Sequence, residues 1–515
     1  MAHLGFWQLA QRDPEHVAVI DVDGVETRAG ALLAAANQLV HGLRALGLKK
    51  GDTVATLLDN GLPMLEVYMA ATQAGFYITP INIHSAAPEV SYILSDSEAK
   101  AFICSSRFGE VCQKAAAEAK FSAEARFATG KLEGFRDYAE LKTGQSAAAP
   151  DDRTAGLVMN YTSGTTGRPK GVRRQLPPVD PETIGESYAM FLTMFGIKPH
   201  EGVHLVVSPL YHTAVLNFCT NHLHFGHTVV LMDKWTPEGT LRLIEQYKVT
   251  NSHMVPTHFN RLLALPEDIK KKYDLSSLQH VIHSAAPCPV QVKHRMLQWW
   301  GPVIYEYYSA SEGGGTTATP TDWLAHPGTV GKPWAISEIR ILDDAGEPVA
   351  AGTVGTVYIR MGGHKFEYHK DQKKTESAWK EGFFTVGDAG YLDDEGFLFL
   401  CDRKSDMIIS GGVNIYPAEI ESVMLGHAKI GDVAVFGIPD DDWGEQVKAV
   451  VEPVDGVMGS ANLAEEILGF CKEQMASYKV PKTIDFTSAL PRDPNGKLYK
   501  RKLRDPYWEG RDRKI

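Results

Sequence analysis

Short apolar runs alternate with helical patterns through most of the chain, and this alternation limits the possible folds more than any other feature. The segments DTVATLLDN (52–60), KAFICSS (100–106) and VHLVVSPL (203–210) have the apolar content and length of buried strands. Between such runs, MLEVYMAATQAG (64–75) and TPEGTLRLIEQYKV (236–249) place apolar residues at helical spacing. Because parallel strands need long crossover connections, the pattern predicts an α/β fold of mostly parallel sheets covered by helices.

The pattern changes after about residue 400. A short amphipathic helix opens at Pro417, DVAVFGIPD (432–440) resembles a strand, and NLAEEILGFCKEQMAS (462–477) has clear helical spacing. Strands and helices of this kind indicate a small α+β domain of about 110 residues, which is an ordinary domain size.

Composition narrows the class of protein. A chain of 515 residues with 44% hydrophobic content is large enough for more than one domain. The formal charge of -11 argues against a nucleic-acid partner. The six cysteines form no C-x-x-C pair, which is typical of a reducing compartment. No signal peptide and no apolar stretch of membrane-spanning length is evident, so we expect a soluble cytoplasmic protein; its oligomeric state stays open, with a homodimer as one alternative.

The segment YTSGTTGRPKG (161–171) combines hydroxyl side chains, three glycines, an arginine and a lysine. Glycines let backbone N–H groups converge on one point, and hydroxyls and an ammonium add further donors. The segment therefore favours a polyphosphate ligand, although it does not match G-x-x-x-x-G-K-[ST] and a solvated turn remains open. The candidate phosphate-binding residues are Thr162, Ser163, Gly164, Thr165, Thr166, Gly167 and Lys170.

Three further motifs follow this loop in order: YYSASEGG (307–314), the long segment TVGDAGYLDDEGFLFLCDRKSDMIISGGVNIYPAEIE (385–421), and PRDPNGK (491–497). Together the four resemble the signature motifs of the adenylate-forming superfamily, which contains acyl-CoA synthetases, luciferases and peptide-synthetase adenylation domains. The resemblance implies a large N-terminal domain (1–403) of mostly parallel sheets flanked by helices with a small β subdomain. It also implies a small, mobile α+β C-terminal domain (404–515).

The same resemblance implies a nucleotide site for ATP and AMP. Glu312 is a hard oxygen ligand suited to the Mg²⁺ that accompanies ATP phosphates. Ser311 offers a hydroxyl to the α-phosphate, Tyr308 lies against adenine, Asp388 accepts the ribose hydroxyls, and Arg403 grips ribose or phosphate. Five more positions complete this set: Ser284, Ala285 and Ala286, in the segment that lines adenine and the acyl cavity, Tyr307, and Ser309, where the family more often has glycine.

Lys497 resembles the superfamily's catalytic lysine. A substrate carboxylate must attack an anionic phosphate, and a positioned ammonium reduces that repulsion in the transition state. In the superfamily's second reaction a thiol attacks the acyl group of the adenylate. Gly411 and Gly412 resemble the segment that leaves a narrow path for the pantetheine arm of CoA in that reaction. The domain rotation between the two states would pivot at Ser405, where the superfamily usually has Asp or Lys.

The implied activity is an AMP-forming acid–CoA ligase that uses ATP, Mg²⁺ and CoA. His212 lies where the superfamily places a gate beside the acyl carboxylate. The acyl-pocket candidates are His212, Val215, Val255 and Ala285, and the absence of Asp from YHTAVLNF disfavours an amino acid. We therefore expect a fatty or bulky hydrophobic acid.

Several alternatives stay open at this point. The adenylate could be loaded onto a carrier protein, or the acid could be an aryl or steroid-side-chain acid. A luciferase-like oxygenase and a non-catalytic nucleotide-binding module are more distant alternatives, and the joint presence of Lys497, Glu312 and Asp388 argues against the latter.

Overall fold

A computed structural model describes residues 4–162, 169–363, 365–403, 406–492 and 497–509, without the side chains of Thr162 and Arg403. Helices and strands alternate through the first half of the chain. The strands in this half are β1 Val17–Ile20, β2 Glu26–Arg28, β3 Thr53–Leu57, β4 Tyr77–Pro80, β5 Ala99–Ser105, β6 Arg126–Thr129, β7 Arg136–Asp137, β8 Leu157–Val158, β9 Asn160–Thr162, β10 Lys170–Arg173, β11 Val203–Val206, β12 Thr228–Leu231 and β13 Asn251–Met254. The helices are α1 Phe6–Arg12, α2 Ala29–Ala45, α3 Leu62–Gln73, α4 Ala87–Asp96, α5 Gly109–Glu118, α6 Pro181–Met190, α7 Thr213–His224 and α8 Pro237–Tyr247.

The second half is richer in short strands. They are β14 His280–His283, β15 Ile304–Ala310, β16 Gly313–Ala318, β17 Lys332–Pro333, β18 Ser337–Leu342, β19 Gly355–Met361, β20 Glu367–Tyr368, β21 Trp379–Lys380, β22 Phe383–Phe384, β23 Asp388–Leu392, β24 Leu398–Arg403, β25 Ile408–Ser410, β26 Val413–Ile415, β27 Ile430–Asp440, β28 Gly444–Pro453 and β29 Thr483–Phe486. The helices are α9 Pro256–Leu263, α10 Glu267–Lys270, α11 Val290–Trp300, α12 Pro320–Ala325, α13 Gln372–Ala378, α14 Pro417–Met424, α15 Ala461–Gln474 and α16 Lys500–Arg504.

The chain divides into two compact units. Unit 1 comprises Met1–His253, Lys271–Val281 and Gly363–Ser377, and unit 2 comprises Met254–Lys270, Ile282–Gly362 and Ala378–Ile515. The predicted domain boundary after residue 403 falls inside unit 2 and stays a prediction.

Unit 1 is built on parallel strands. One sheet has the order β7–β6–β5–β3–β4–β8, and each neighbouring pair in it is parallel. In a second sheet β11 pairs in parallel with β12 and β13, and β12 pairs in parallel with β1. All five residues of β3 are buried, as expected when helices cover both faces of a parallel sheet.

Most strand pairs of unit 2 are antiparallel, whereas unit 1 has the antiparallel pairs β1–β2, β9–β10 and β10–β20 beside its parallel sheets. β15 pairs with β16 and β16 with β17, while β18, β19 and β21–β24 form a separate antiparallel sheet that corresponds to the predicted β subdomain. A third sheet has the order β26–β25–β28–β27, with β29 parallel to β28. Helices α14 and α15 contribute Ile420 and Ile467 to the buried core of this last sheet. The predicted α/β architecture with a small α+β portion is therefore confirmed.

Candidate active site

The segment predicted to bind phosphate lies between two antiparallel strands of unit 1. β9 and β10 pair with Lys170 opposite Thr162 and Gly171 opposite Tyr161. The Tyr161 side chain is held by its hydroxyl, which donates a hydrogen bond to Asp96 Oδ2 at 2.7 Å. The residues between these strands, 163–168, lie outside the described residues, and with them the candidates Ser163, Gly164, Thr165, Thr166 and Gly167; of Thr162 only the backbone is described.

Lys170 has a carboxylate partner in unit 1. Its ammonium donates to Asp371 Oδ2 at 2.5 Å, from a position where 19% of the lysine side chain is exposed. The hydrogen bond from Lys170 lowers the pKa of the Asp371 carboxyl below its ordinary value. A phosphate that binds Lys170 must therefore share or displace Asp371, a competitor 201 residues away that the sequence did not reveal.

In unit 2, Ser311 and Glu312 form the turn between β15 and β16. The pairing register shifts between Ser309 and Ala310, and Ser309 Oγ donates to the Gly314 carbonyl oxygen at 2.6 Å. This bond closes the turn across its base and leaves the side chains of Ser311 and Glu312 partly exposed. Glu312 offers the carboxylate oxygen that Mg²⁺ prefers, so the donor fits the predicted metal. The described residues hold no group of three or more His, Cys, Asp or Glu that could bind a metal by itself.

Tyr308 and Asp388 are in direct contact. The phenolic hydroxyl donates to Asp388 Oδ2 at 2.6 Å, which is a short hydrogen bond to a charged acceptor. Asp388 begins β23, and its backbone pairs with that of Arg403 on β24. The structure thus brings together three positions of the predicted nucleotide site that are widely separated in sequence, although the Arg403 side chain is outside the described part.

The Ser284–Ala286 segment directly follows β14 and contacts the next strand of the site. Burial raises the pKa of Tyr307 to about 12, and a hydrogen bond with Ser284 partly offsets that rise. Ala285 has φ +73°, in the left-handed region that costs a non-glycine residue about 1 kcal/mol or more. A glycine at this position would avoid this cost.

The acyl-pocket candidates are divided between the units. In unit 1, His212 is the N-cap residue of α7 and Val215 is buried one turn later in that helix. In unit 2, Val255 is the buried N-cap residue of α9, and Ala285 lies in the segment described above.

Gly411 and Gly412 form the two-residue turn between β25 and β26, where Ser410 pairs with Val413. Both glycines have positive φ, +57° and +79°, as a tight hairpin turn of this class requires. A Cβ at Gly411 would lie 2.3 Å from Trp443 Cε3, whereas a Cβ at Gly412 would meet nothing within 4 Å. The indole of Trp443, which is 60% exposed, therefore lies against the predicted CoA path and was missed by the sequence reasoning.

The Lys497 side chain is partly exposed. Lys497 directly follows residues 493–496, which lie outside the described residues. The residues on both sides of 493–496 are held in place. Arg492 and Leu498 form an isolated β-bridge, and Arg492 donates to both carboxylate oxygens of Asp432 at 2.5 and 2.8 Å. The backbone beside the predicted catalytic lysine is thus held by defined contacts of Arg492 and Leu498.

Three residues beyond Lys497, Lys500 at the start of α16 faces carboxylates from both sides of the predicted hinge in sequence. Its ammonium lies 2.9 Å from Glu421 Oε1 and 3.8 Å from Asp402 Oδ2. Burial alone would lower the pKa of Lys500, but the two carboxylates outweigh it and raise the pKa. The predicted hinge residue itself, Ser405, lies outside the described residues.

No helix within the described ranges has both the length and the apolar content needed to cross a membrane.

Comparison with known proteins identifies the family. The AMP-binding enzyme family matches residues 6–364, and the AMP-binding enzyme C-terminal domain matches residues 419–497. The chain is 32% identical to a feruloyl-CoA synthase from Amycolatopsis sp. over 97% of this chain and 98% of that protein. It is 31% identical to the long-chain-fatty-acid–CoA ligase FadD13 of Mycobacterium tuberculosis over 98% of this chain and 99% of that protein.

A solved structure agrees with these relatives. The o-succinylbenzoate CoA synthetase of Bacillus subtilis, in complex with its acyl-adenylate intermediate, has a TM-score of 0.80 and 28% identity over 97% of this chain and 98% of that one. The predicted superfamily, the enzyme class of AMP-forming acid–thiol ligase, and the use of ATP, Mg²⁺ and CoA that goes with the class are thereby confirmed. The chain belongs to the AMP-binding enzyme family, in its acyl-CoA synthetase branch.

Proposed function

We propose that this acyl-CoA synthetase activates a fatty or bulky hydrophobic carboxylic acid as its acyl-adenylate and transfers the acyl group to CoA. The observation that carries the proposal is the Tyr308–Asp388 hydrogen bond, beside the backbone of Arg403. It orients a carboxylate at the start of β23, where a ribonucleotide can be bound through both ribose hydroxyls.

In the first half-reaction a carboxylate oxygen of the acid attacks the α-phosphorus of ATP, and pyrophosphate leaves. The Lys497 ammonium lies between the two anions and stabilises the negative charge that develops on the phosphate oxygens. Lys170 and the hydroxyl of Ser311 hold phosphate oxygens, and Glu312 holds the Mg²⁺ that offsets phosphate charge when it is bound. Tyr307 and Tyr308 provide the wall against which adenine lies.

In the second half-reaction the sulfur of CoA attacks the acyl carbon, the bond to the phosphate oxygen breaks, and AMP leaves. The thiol proton is released to water, so the products are acyl-CoA, AMP and one proton. The turn at Gly411 and Gly412 has no side chains in the path of the pantetheine arm, so the backbone itself can form one wall of the path. His212 gates the acyl carboxylate at the start of α7.

The proposed acid class rests on α7. This helix has the sequence TAVLNFCTNHLH, with Val215, Leu216 and Phe218 buried and no acidic residue that could pair with the ammonium of an amino acid. A carboxylic acid with an apolar body is therefore favoured. The similarity to a feruloyl-CoA synthase supports an aryl acid as the second candidate.

We propose a cytoplasmic site of action, because ATP and CoA are available there. All six cysteines are free thiols in the structure, which fits a reducing compartment.

A panel of acids tests the proposal. Aliphatic, aryl and steroid-side-chain acids are each incubated with ATP and Mg²⁺, and pyrophosphate and AMP release is measured with CoA and with a carrier-protein domain. We expect acid-dependent release and thioester formation with CoA for an aliphatic or bulky acid. Turnover of amino acids alone, or thioester formation only on the carrier domain, would contradict the proposal.

A further inference from the structure

Three buried ionisable side chains of unit 2 form a cluster that the reaction chemistry does not use. The Lys293 ammonium lies 2.7 Å from Glu306 Oε2, and His283 Nε2 lies 3.4 Å from the same oxygen. Lys293 and His283 are fully buried and Glu306 is 5% exposed. We call these three residues the Lys293 cluster.

The charges within the Lys293 cluster are defined by their surroundings. Burial alone would raise the pKa of Glu306, but Lys293 and His283 outweigh it and lower the pKa to about 2, so the carboxylate is ionised. Burial lowers the pKa of His283, so its imidazole is neutral at pH 7. The ammonium of Lys293 also lies 4.8 Å from the ring centroid of Trp323, which adds a cation–π contact. Glu306 Oε2 thus accepts a hydrogen bond from Lys293, on a helix, and lies against His283 Nε2, at the end of a strand, without hydrogen-bond geometry to it.

A buried ion pair is by itself weak evidence for a stabilising role, because apolar residues of similar volume often replace it without loss. Its place in the chain is more informative. His283 is the last residue of β14 and directly precedes Ser284, while Glu306 directly precedes Tyr307 on β15. The contacts therefore run in consecutive pairs, His283 with Glu306 and then Ser284 with Tyr307.

The next residue along each segment belongs to the nucleotide site. After Ser284 comes Ala285, whose φ of +73° persists only if the surroundings hold it there. After Tyr307 comes Tyr308, which donates to Asp388. Since buried groups transmit small displacements rather than absorb them, a shift of His283 relative to Glu306 would move both segments.

We propose that the Lys293 cluster is a positioning device for the nucleotide site, which fixes the distance between the Ser284–Ala286 segment and strand β15 and thereby sets the affinity for ATP. In this role the three buried side chains act through the two segments and need no contact with the substrate. The inference rests on the proposed function, since it assumes that these two segments bind the nucleotide.

The test uses full-length chains in which no unpaired charge is left buried. K293M/E306L removes the ion pair and the polar oxygen beside His283, whereas K293M/E306Q removes the ion pair but keeps an oxygen at position 306 beside His283 Nε2. K142M/E66Q is the matched control, because Lys142 and the buried Glu66 form a 2.7 Å ion pair in unit 1 outside the predicted site. The dissociation constant of ATP is measured by titration calorimetry, and KM for ATP and kcat are measured by pyrophosphate release, at temperatures where thermal unfolding curves show each chain to be folded.

We expect K293M/E306L to weaken ATP binding about tenfold, roughly the effect of one lost hydrogen bond to a charged group, and to raise KM for ATP more than it lowers kcat. The dissociation constant of K293M/E306Q for ATP should stay within about threefold of the wild-type value. K142M/E66Q should bind ATP with wild-type affinity, whatever its melting temperature. This graded response is not expected if the cluster affects stability alone.

Two results would overturn the inference: wild-type affinity for ATP in folded K293M/E306L, or equal losses in K293M/E306L and K293M/E306Q. If K293M/E306L does not fold, H283L and H283Q provide the same contrast, since glutamine keeps a polar group beside the Glu306 carboxylate and leucine does not. A wild-type chain that binds no ATP would instead refute the proposed function, which separates the two failures.

Discussion

A buried histidine makes the stability of unit 1 sensitive to acid. His224, the last residue of α7, is 1% exposed, and its Nδ1 accepts a hydrogen bond from the Phe6 backbone N–H at 3.1 Å. Its ring lies 5.1 Å from that of Trp7. Burial lowers the pKa of His224 from 6.5 to about 3, because a protonated imidazole would lose its hydration and would face the Phe6 N–H with a second donor.

The sign and size of the effect follow from this lowered pKa. Between pH 6.5 and about 3 the unfolded chain binds a proton at His224 that the folded chain does not, so stability is full above pH 6.5 and falls as the pH drops toward 3. At pH 5, which is 1.5 units below the unfolded pKa of 6.5, this one histidine costs about 2 kcal/mol.

The perturbation is His224→Asn, which places an oxygen acceptor near the position of Nδ1 but cannot be protonated. The smaller side chain should lower the free energy of unfolding at pH 8 by about 1–2 kcal/mol through lost packing. From pH 8 to pH 5, however, the variant should lose about 2 kcal/mol less than the wild type.

Urea unfolding followed by tryptophan fluorescence, at half-unit steps from pH 5 to pH 8, measures both quantities. Other buried histidines with lowered pKa, including His204 and His258, act equally in both chains and cancel in the difference. Parallel stability–pH profiles for the wild type and the variant would show that His224 is not a neutral buried base in the folded state and would refute the reasoning.

Two further predictions concern the proposed site. Tyr308→Phe removes the hydrogen-bond donor to Asp388 and should weaken ATP binding about tenfold. Titration calorimetry measures this affinity, and a wild-type dissociation constant for the variant would contradict the prediction. Gly411→Ala forces a Cβ against Trp443 and should slow thioester formation, whereas acid-dependent pyrophosphate release measured before CoA is added should be unchanged. Gly412→Ala is the matched control, because it carries the same positive-φ strain without that clash. Equal effects of the two variants on thioester formation would contradict the CoA path.

Local patterns predicted the elements well. The run at 52–60 contains β3, the segment at 236–249 contains α8, and Pro417 is the first residue of α14. Each of these signals is local in sequence, where apolar periodicity and the fixed φ of proline act directly. The ordered motifs assigned Tyr308, Asp388 and Arg403 to one nucleotide site. In the structure Tyr308 donates to Asp388, and the backbone of Asp388 pairs with that of Arg403.

Partners that meet across the chain could not be predicted in this way. The competitor of Lys170 is Asp371, the partner of Lys500 is Glu421, and nothing near either lysine in sequence identifies its carboxylate. Such pairs depend on how separate elements pack, and a single sequence carries no record of that packing. The left-handed backbone of Ala285 was missed for a similar reason, since alanine gives no sign of a positive φ.

The most direct test of the account is the exchange of labelled pyrophosphate into ATP in the absence of CoA, in the presence of an acid from the panel. We predict acid-dependent exchange by the wild-type chain and a loss of roughly 10²–10³ in rate for Lys497→Ala, because the ammonium that links carboxylate and α-phosphate is removed. Exchange that persists at the wild-type rate in Lys497→Ala, or that does not depend on an acid, would contradict an acyl-adenylate formed with the help of Lys497.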